Sequence, residues 1–377
     1  MSKAPEIYKY LKEMNDAKAT DLYLTVGHPP CLRIESDFRN IADQPINQEQ
    51  INEILGSIMT SRQLRQFEME MEMNMPLDLG DLGRFRINIL KQRQMPALVI
   101  RRIISQIPTF EDLRLHPTID KLAMDRQGLV LVTGMTGSGK STTLAAMIDH
   151  RNRNEKAHIV TIEDPIEYFH EHKKSVVTQR EVGVDTESYA IALKNAFRQR
   201  PDVLLVGEIL DREVMEQTLT FSQTGHLCMA TIHANNAYQA IDRVINLFDK
   251  DFQNQARLSL SSNLKAVVSQ RLIPRVDGDL IMVQEILINE GLVRKLILDG
   301  KTSAMKEVME QNSQNGMCTF DQSILDCYRK GLVDEDTAIR QSDQPADMKM
   351  KLRQIDLGER SQMKDMDTSL LSISEGD

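Results

Sequence analysis

Apolar positions along the first hundred residues change period several times. Ile7, Tyr10, Leu11 and Met14 recur at helical spacing, so residues 5–18 predict a short helix. Asp21-Leu-Tyr-Leu-Thr-Val alternates as a strand does. Gly27-His-Pro-Pro breaks it and Cys31-Leu-Arg-Ile-Glu35 resumes it, a hairpin-like start. A helix is expected over residues 47–68. Beyond it Met69-Glu-Met-Glu-Met-Asn-Met-Pro alternates strictly, which predicts a strand with Met71, Met73 and Met75 facing inward. Gly83-Arg-Phe-Arg-Ile-Asn-Ile-Leu and Ala97-Leu-Val-Ile-Arg-Arg-Ile-Ile104 predict two more strands. Residues 1–107 therefore read as a small α+β domain, and 108–127 as a linker opened by Ile107-Pro-Thr-Phe.

From Gly128 strands alternate with helices, which implies a parallel sheet with right-handed crossovers. Strands are expected at 129–133, 158–162, 203–206, 227–232 and 280–287. Helices are expected at 140–153, 187–199, 212–223, 237–248 and 252–270, completing an α/β domain over 128–300. After 301 the strand signal stops; helices at 303–313, 320–330 and 334–341 predict a small bundle. Residues 342–377 show no sustained period and predict a disordered, acidic tail.

Composition fits that division. A chain of 377 residues suits two domains and a tail. Forty-six Lys and Arg against 55 Asp and Glu leave a net charge of −9. That argues against a nucleic-acid partner, because binding to phosphate backbones is driven by counterion release at basic surfaces. No segment approaches 18 uncharged apolar residues and the start lacks a signal-peptide stretch, so no direct membrane insertion is expected. Cys31, Cys228, Cys318 and Cys327 have no C-x-x-C spacing, unlike a zinc site or a disulfide framework. Twenty-one methionines without a tryptophan suggest a pliable aliphatic core.

Gly134-Met-Thr-Gly-Ser-Gly-Lys-Ser141 fits G-x-x-x-x-G-K-[ST] between a predicted strand and a predicted helix. Glycines let backbone N–H groups turn inward around phosphates, and the helix N-terminus adds a positive dipole end. Gly134, Thr136, Gly137, Ser138, Gly139, Lys140, Ser141 and Thr142 are thus the candidate nucleotide-binding residues. Lys140 brings a point charge to the β- and γ-phosphates and Ser141 a hydroxyl to Mg²⁺. The strand Ile159–Ile162 delivers Glu163, Asp164 and Glu167 to the same sheet edge. Glu163 is the candidate to orient or deprotonate the attacking water. Pro201-Asp-Val-Leu-Leu-Val-Gly-Glu208 ends in Glu208, with Gly207 where a Walker B strand carries Asp. That leaves Glu208 and Ser141, with Glu163 nearby, to organise Mg²⁺. Thr224-Gly-His-Leu-Cys-Met-Ala-Thr-Ile-His233 places His226 and His233 at the two ends of one strand. His233 is the candidate γ-phosphate sensor and His226 a weaker nucleotide contact.

In their order, these pieces resemble the secretion-ATPase superfamily, and within it the type IV pilus retraction (twitching motility) ATPases of the PilT/PilU type. The carriers are Thr20-Asp-Leu-Tyr-Leu-Thr-Val-Gly-His-Pro-Pro, Gly83-Arg-Phe-Arg-Ile-Asn, the P-loop, Thr161-Ile-Glu-Asp-Pro-Ile-Glu, Val206-Gly-Glu and Thr224-Gly-His…Thr231-Ile-His. The resemblance implies a PAS-like domain joined to a RecA-like ATPase and a homo-hexamer. It also implies ATP and Mg²⁺ held between the domains, with arginines of the first domain completing the site. Arg84, Arg86, Arg101 and Arg102 are the candidates here; alternation puts Arg84 and Arg86 on one strand face. It further implies a cytoplasmic protein at the inner face of the cytoplasmic membrane, docked on a pilus platform protein there.

Departures define the subtype. The retraction motor proper has Met-Arg-Asp after the Walker B Glu; here Ile209-Leu-Asp211 follows Glu208. Its Ala-Ile-Arg-Asn-Leu-Ile segment survives partly as Gly291-Leu-Val-Arg-Lys-Leu-Ile297. With the tail, these favour a PilU-like accessory to a related retraction ATPase ring. Two alternatives stand beside it. One is a pilus-extension or type II secretion ATPase, whose usual tetracysteine zinc element and extra N-terminal domain have no counterpart in this sequence. The other is a subunit that binds ATP and docks on an active motor while hydrolysing little.

Overall fold

Helical spacing at the N-terminus forms α1 (Glu6–Asp16), and Ile7, Tyr10, Leu11 and Met14 are its buried face. The computed structural model describes residues 6–34, 37–103 and 106–355. These divide into two compact units, one reaching to Gln106 and including Glu167–Phe169, the other built from the rest. Residues 356–377 of the expected tail, with Pro5, Glu35 and Ile104 at the ends of expected elements, lie outside the described residues.

In the first unit α1 leads into β1 (Asp21–Thr25), β2 (Cys31–Ile34) and β3 (Asp37–Asn40). Then come α2 (Gln48–Ile58), α3 (Ser61–Glu70), β4 (Glu72–Asp78), β5 (Arg84–Gln92) and β6 (Met95–Ile103). The strands pair antiparallel in the order β3-β2-β1-β6-β5-β4. Phe85, Ile87 and Ile89 face the core with Leu11, Ile51, Ile54 and Phe67 from the helices, while Arg84, Arg86 and Asn88 alternate onto the other face. The single helix expected at 47–68 is two. Asn47 with Gln50 and Thr60 with Gln63 form capping boxes, so the chain restarts a helix at Ser61. Met71 corrects the inward alternation: it closes α3 at φ 64° and is 56% exposed, whereas Met73 is half-buried and Met75 buried.

The second unit runs through α4 (Pro117–Met124), β7 (Gly128–Gly134), α5 (Lys140–Asn154), β8 (His158–Glu163) and β9 (Val176–Glu181). It continues with α6 (Tyr189–Ala196), β10 (Val203–Val206), α7 (Arg212–Gln223), β11 (Leu227–Ile232), α8 (Ala237–Asn246) and α9 (Gln253–Asn263). After β12 (Leu264–Pro274) and β13 (Leu280–Ile288) come α10 (Leu292–Asp299), α11 (Met305–Gln311), α12 (Phe320–Arg329), α13 (Glu335–Gln341) and α14 over 345–355. The sheet order is β13-β12-β7-β11-β10-β8-β9, parallel except for β13. Both faces are covered: Leu129, Leu131, Ile162 and Val206 pack on one side, Val130, Val132, Ile159 and Leu205 on the other. Two-sided burial is why these strands read as continuous apolar runs.

Three expectations fail here for physical reasons. Inside the expected linker, Pro117 starts α4, and Ile119 and Ala123 are fully buried. The helix expected over 252–270 stops at Asn263, and the β-branched Val267–Val268 run continues as β12, paired with β7 and β13. The disorder expected from 342 does not hold through 355: Met348 and Leu352, 1% and 0% exposed, pack with Phe320, Ile324 and Val333. Their spacing with Ile355 is helical but masked by lysines between them. No helix among the described residues is long and apolar enough to cross a membrane.

Leu352→Ala is expected to destabilise the chain by about 2–5 kcal/mol. Urea unfolding followed by circular dichroism measures this, and an unchanged midpoint would contradict the packing of α14.

Candidate active site

β7 ends at Gly134 and α5 begins at Lys140, with Gly139 as its cap at φ 90°. Gly134 admits no side chain: at φ 150° a Cβ would stand 2.4 Å from Ser138 Oγ and 2.5 Å from the Gln270 carbonyl oxygen. Lys140 Nζ donates to the carbonyls of Gly134 and Met135, both at 3.0 Å, so its charge lies within the turn. Ser138 Oγ is buried and has no hydrogen-bond partner among the described residues. Ser141 and Thr142 follow Lys140 in the first turn of α5, where the helix dipole favours an anion. Thr136 and Gly137 are exposed at the tip.

Parallel register brings the remaining groups to this edge. Thr133 pairs with Ile232, Ala230 with Val206, and Val206 with Ile162. The chain therefore leaves three neighbouring strands at one end of the sheet, carrying Glu163, Glu208 and His233. His233 Nε2 lies 3.1 Å from Glu208 Oε1. Glu163 Oε1 accepts from Thr161 Oγ1 at 2.7 Å and from Gln179 Nε2 at 3.2 Å. Thr133 Oγ1 donates to the Ala234 carbonyl at 2.9 Å, tying the P-loop strand to the loop after His233.

Two groups at this edge escape sequence reasoning. Gly207 is closed to any side chain, because a Cβ would meet Tyr189 Oη at 2.9 Å and Glu163 Cα at 3.1 Å. The space of a Walker B aspartate is filled by the Tyr189 phenol, which accepts the backbone N–H of Glu208. Burial, then the nearby Asp164, Glu163 and Glu208, push the Tyr189 hydroxyl well above the usual phenol range, so it stays neutral. In the sequence Tyr189 has only the signal of a core position on an amphipathic helix. β9 is the second: Gln179 Oε1 accepts the His170 N–H at 2.8 Å and Glu181 accepts that of Ile166 at 3.1 Å, clipping the acidic loop after Glu163 at both ends. Burial lowers the His170 pKa to about 4, keeping that ring neutral.

His226 does not join them. It directly precedes β11, whose six residues of strand, about 20 Å, separate it from His233. There it sits 3.0 Å from Thr224 Oγ1 and 3.1 Å from the Phe221 carbonyl, a structural role at the opposite edge. The arginines belong to the first unit. Arg84 pairs with Asp78 at 2.7 Å and lies 3.7 Å over the Phe169 ring, Arg101 pairs with the buried Asp21 at 2.8 Å, and Arg102 reaches the Lys18 carbonyl. Arg86 makes no ion pair among the described residues.

A P-loop opening a helix beside a parallel sheet, with carboxylates and a histidine at the strand ends, defines a P-loop ATPase. Comparison narrows this. The family described as "Type II/IV secretion system protein" matches residues 8–332. The type IV pilus ATPase PilU of Pseudomonas aeruginosa is 42% identical over 349 residues, 92% of this chain and 91% of that one. The type IV pilus retraction ATPase PilT of the same organism is 39% identical over 320 residues, 85% of this chain and 93% of that one. A crystal structure of the pilus retraction motor PilT with bound ADP superposes with a TM-score of 0.84 at 37% identity, covering 92% of this chain and 99% of that one. The chain thus belongs to the type II/IV secretion ATPase family and, within it, to the pilus retraction ATPases of the PilT/PilU type.

Gly207→Ala is expected to lower ATP turnover at least 10-fold by forcing Tyr189 and Glu163 apart. Adding Tyr189→Phe, which vacates the 2.9 Å contact, should restore part of the loss. Phosphate release by the single and double variants measures this, and strictly additive losses would refute the steric account.

Proposed function

We propose that this ATPase hydrolyses Mg²⁺-ATP at the Gly134–Ser141 turn to assist pilus retraction, as a PilU-like accessory beside a related retraction motor. The observation that carries the reading is the meeting of Lys140, Glu163, Glu208 and His233 at one sheet edge, in a chain 42% identical to PilU. Phosphates in the turn would draw Lys140 from the Gly134 and Met135 carbonyls. Glu163, held by Thr161 and Gln179, is aimed to orient or deprotonate the attacking water. His233, bonded to Glu208, reports whether the γ-phosphate is present.

The donor set fits magnesium. The Ser141 hydroxyl and the carboxylates of Glu208 and Glu163 are hard oxygen ligands, and no cluster of three or more His, Cys, Asp or Glu among the described residues forms a closed protein cage. Mg²⁺ retains waters and binds substrate phosphates, and when bound it would neutralise their charge. Arg84 and Arg86 are proposed to supply guanidinium groups to the transition state within a homo-hexamer. Arg101, committed to Asp21, is the weaker of the first-unit candidates.

The accessory reading is supported by Leu210, which is 56% exposed where the main motor carries an arginine and offers no hydrogen-bond donor. Work at the cytoplasmic face of the inner membrane, on a platform protein, belongs to the same proposal. The four cysteines lack the C-x-x-C spacing of a tetracysteine zinc element, which disfavours the zinc-bearing extension motors.

Glu208→Ala should cut hydrolysis about 100-fold or more while a fluorescent ATP analogue still binds; unchanged turnover would remove Glu208 from the mechanism. Cells lacking the protein are expected to keep surface pili and twitch poorly. Absence of pili would point to an extension motor instead.

A further inference from the structure

Behind the His233 loop lies a partly buried polar network that hydrolysis as described does not use. Glu285 on β13 is 3% exposed, and its Oε1 accepts the N–H of Ala237 at 2.8 Å. Ala237 is the first residue of α8, directly after the loop that carries His233. On β12, the Arg271 guanidinium pairs with Asp343 at 2.7 Å and lies 3.8 Å from the Phe320 ring centroid. Its other terminal nitrogen is 3.5 Å from the Asn235 carbonyl, two residues beyond His233. Asp343 stands between α13 and α14. Its own N–H donates to Asp321 Oδ1 at 2.7 Å, and Lys306 Nζ is 3.5 Å from its carboxylate.

Each contact alone is an ordinary way to satisfy a buried polar group. Together they hold the exit of the His233 loop at two points: Asn235, through Arg271 and Asp343 to the C-terminal helices, and Ala237, through Glu285 to β13. The entry of that loop is fixed by the β11 ladder and Ala234 by Thr133, so these two points hold the remainder of the exit from His233. We propose that Glu285 and Arg271 are positioning residues for His233, and that Asp343 makes the C-terminal helical segment a latch on the catalytic edge. The proposal rests on the reading of Glu208 and His233 as hydrolytic groups.

Burial, opposed by the Ala237 N–H, pushes the Glu285 carboxyl up to about 7, with Asp343 adding to the rise and Arg271 and Lys306 countering it. Asp321 and the half-buried Cys318 are the other titratable groups on the segments packed around it. Near neutral pH a glutamine is therefore a close stand-in for Glu285, keeping an acceptor for Ala237, whereas alanine removes it.

The test uses the full chain, with steady-state ATPase assays and titration of a fluorescent ADP analogue. Glu285→Ala and Asp343→Ala should each lower kcat about 10-fold while KM and analogue affinity change less than about two-fold, and Glu285→Gln should restore most of kcat. Amide exchange at residues 235–239 should quicken in Asp343→Ala whether or not ATP is turned over. That readout separates failure of the latch from failure of the hydrolytic reading, which Glu208→Ala tests. Unchanged kcat together with unchanged exchange in Asp343→Ala would overturn the proposal. So would a kcat loss in Glu285→Gln as large as in Glu285→Ala.

Discussion

Parallel pairing of β7, β11, β10 and β8 is the constraint from which the rest of the site follows. Adjacent parallel strands point their carboxyl ends the same way, so one register delivers the phosphate turn, Glu208, Glu163 and His233 to a single edge. No side-chain interaction could gather groups that lie a hundred residues apart in the chain at comparable cost. The sheet tolerates this because both of its faces are packed with apolar side chains. The short contacts at the edge, such as Glu208 with His233 and Thr133 with Ala234, then fine-tune a placement the backbone has already made.

Much of this was legible because the chemistry sits in local patterns. The P-loop is contiguous in sequence, and strands β8, β10 and β11 each end in a recognisable polar residue after an apolar run. What was not legible depends on distant partners. β12 reads as helix in the sequence because its apolar residues are buried on both faces and carry no period of two. β9 carries no strand signal in the sequence because its Gln179 and Glu181 serve the acidic loop rather than solvent, so it lacks the clean alternation of a half-exposed strand. The cap at Thr60 was available in the sequence, as Thr60 with Gln63, but the longer helical pattern hid it. His226 lies away from the phosphate turn for a simpler reason: a strand has two ends, and only its direction in the sheet says which one meets the phosphates.

Gly207 and Tyr189 show how a departure from a family pattern can be structural rather than a loss. Without a side chain at 207, the phenol of Tyr189 packs against the backbone of the Glu163 strand and holds the N–H of Glu208. A neutral group thus occupies a place where a second carboxylate would repel its neighbours, while Glu163 is held by Thr161 and Gln179 and Glu208 contacts His233.

The position of β12 also bears on how the protein is made. Gln270 of this strand supplies the carbonyl against which Gly134 packs, and β12 pairs with β7 along its length. A nascent chain still short of Leu264 has one edge of the P-loop strand open and one wall of the phosphate turn missing. Such edges pair readily with other chains. Nucleotide bound in the complete turn can therefore stabilise the ATPase unit only after synthesis has passed β12.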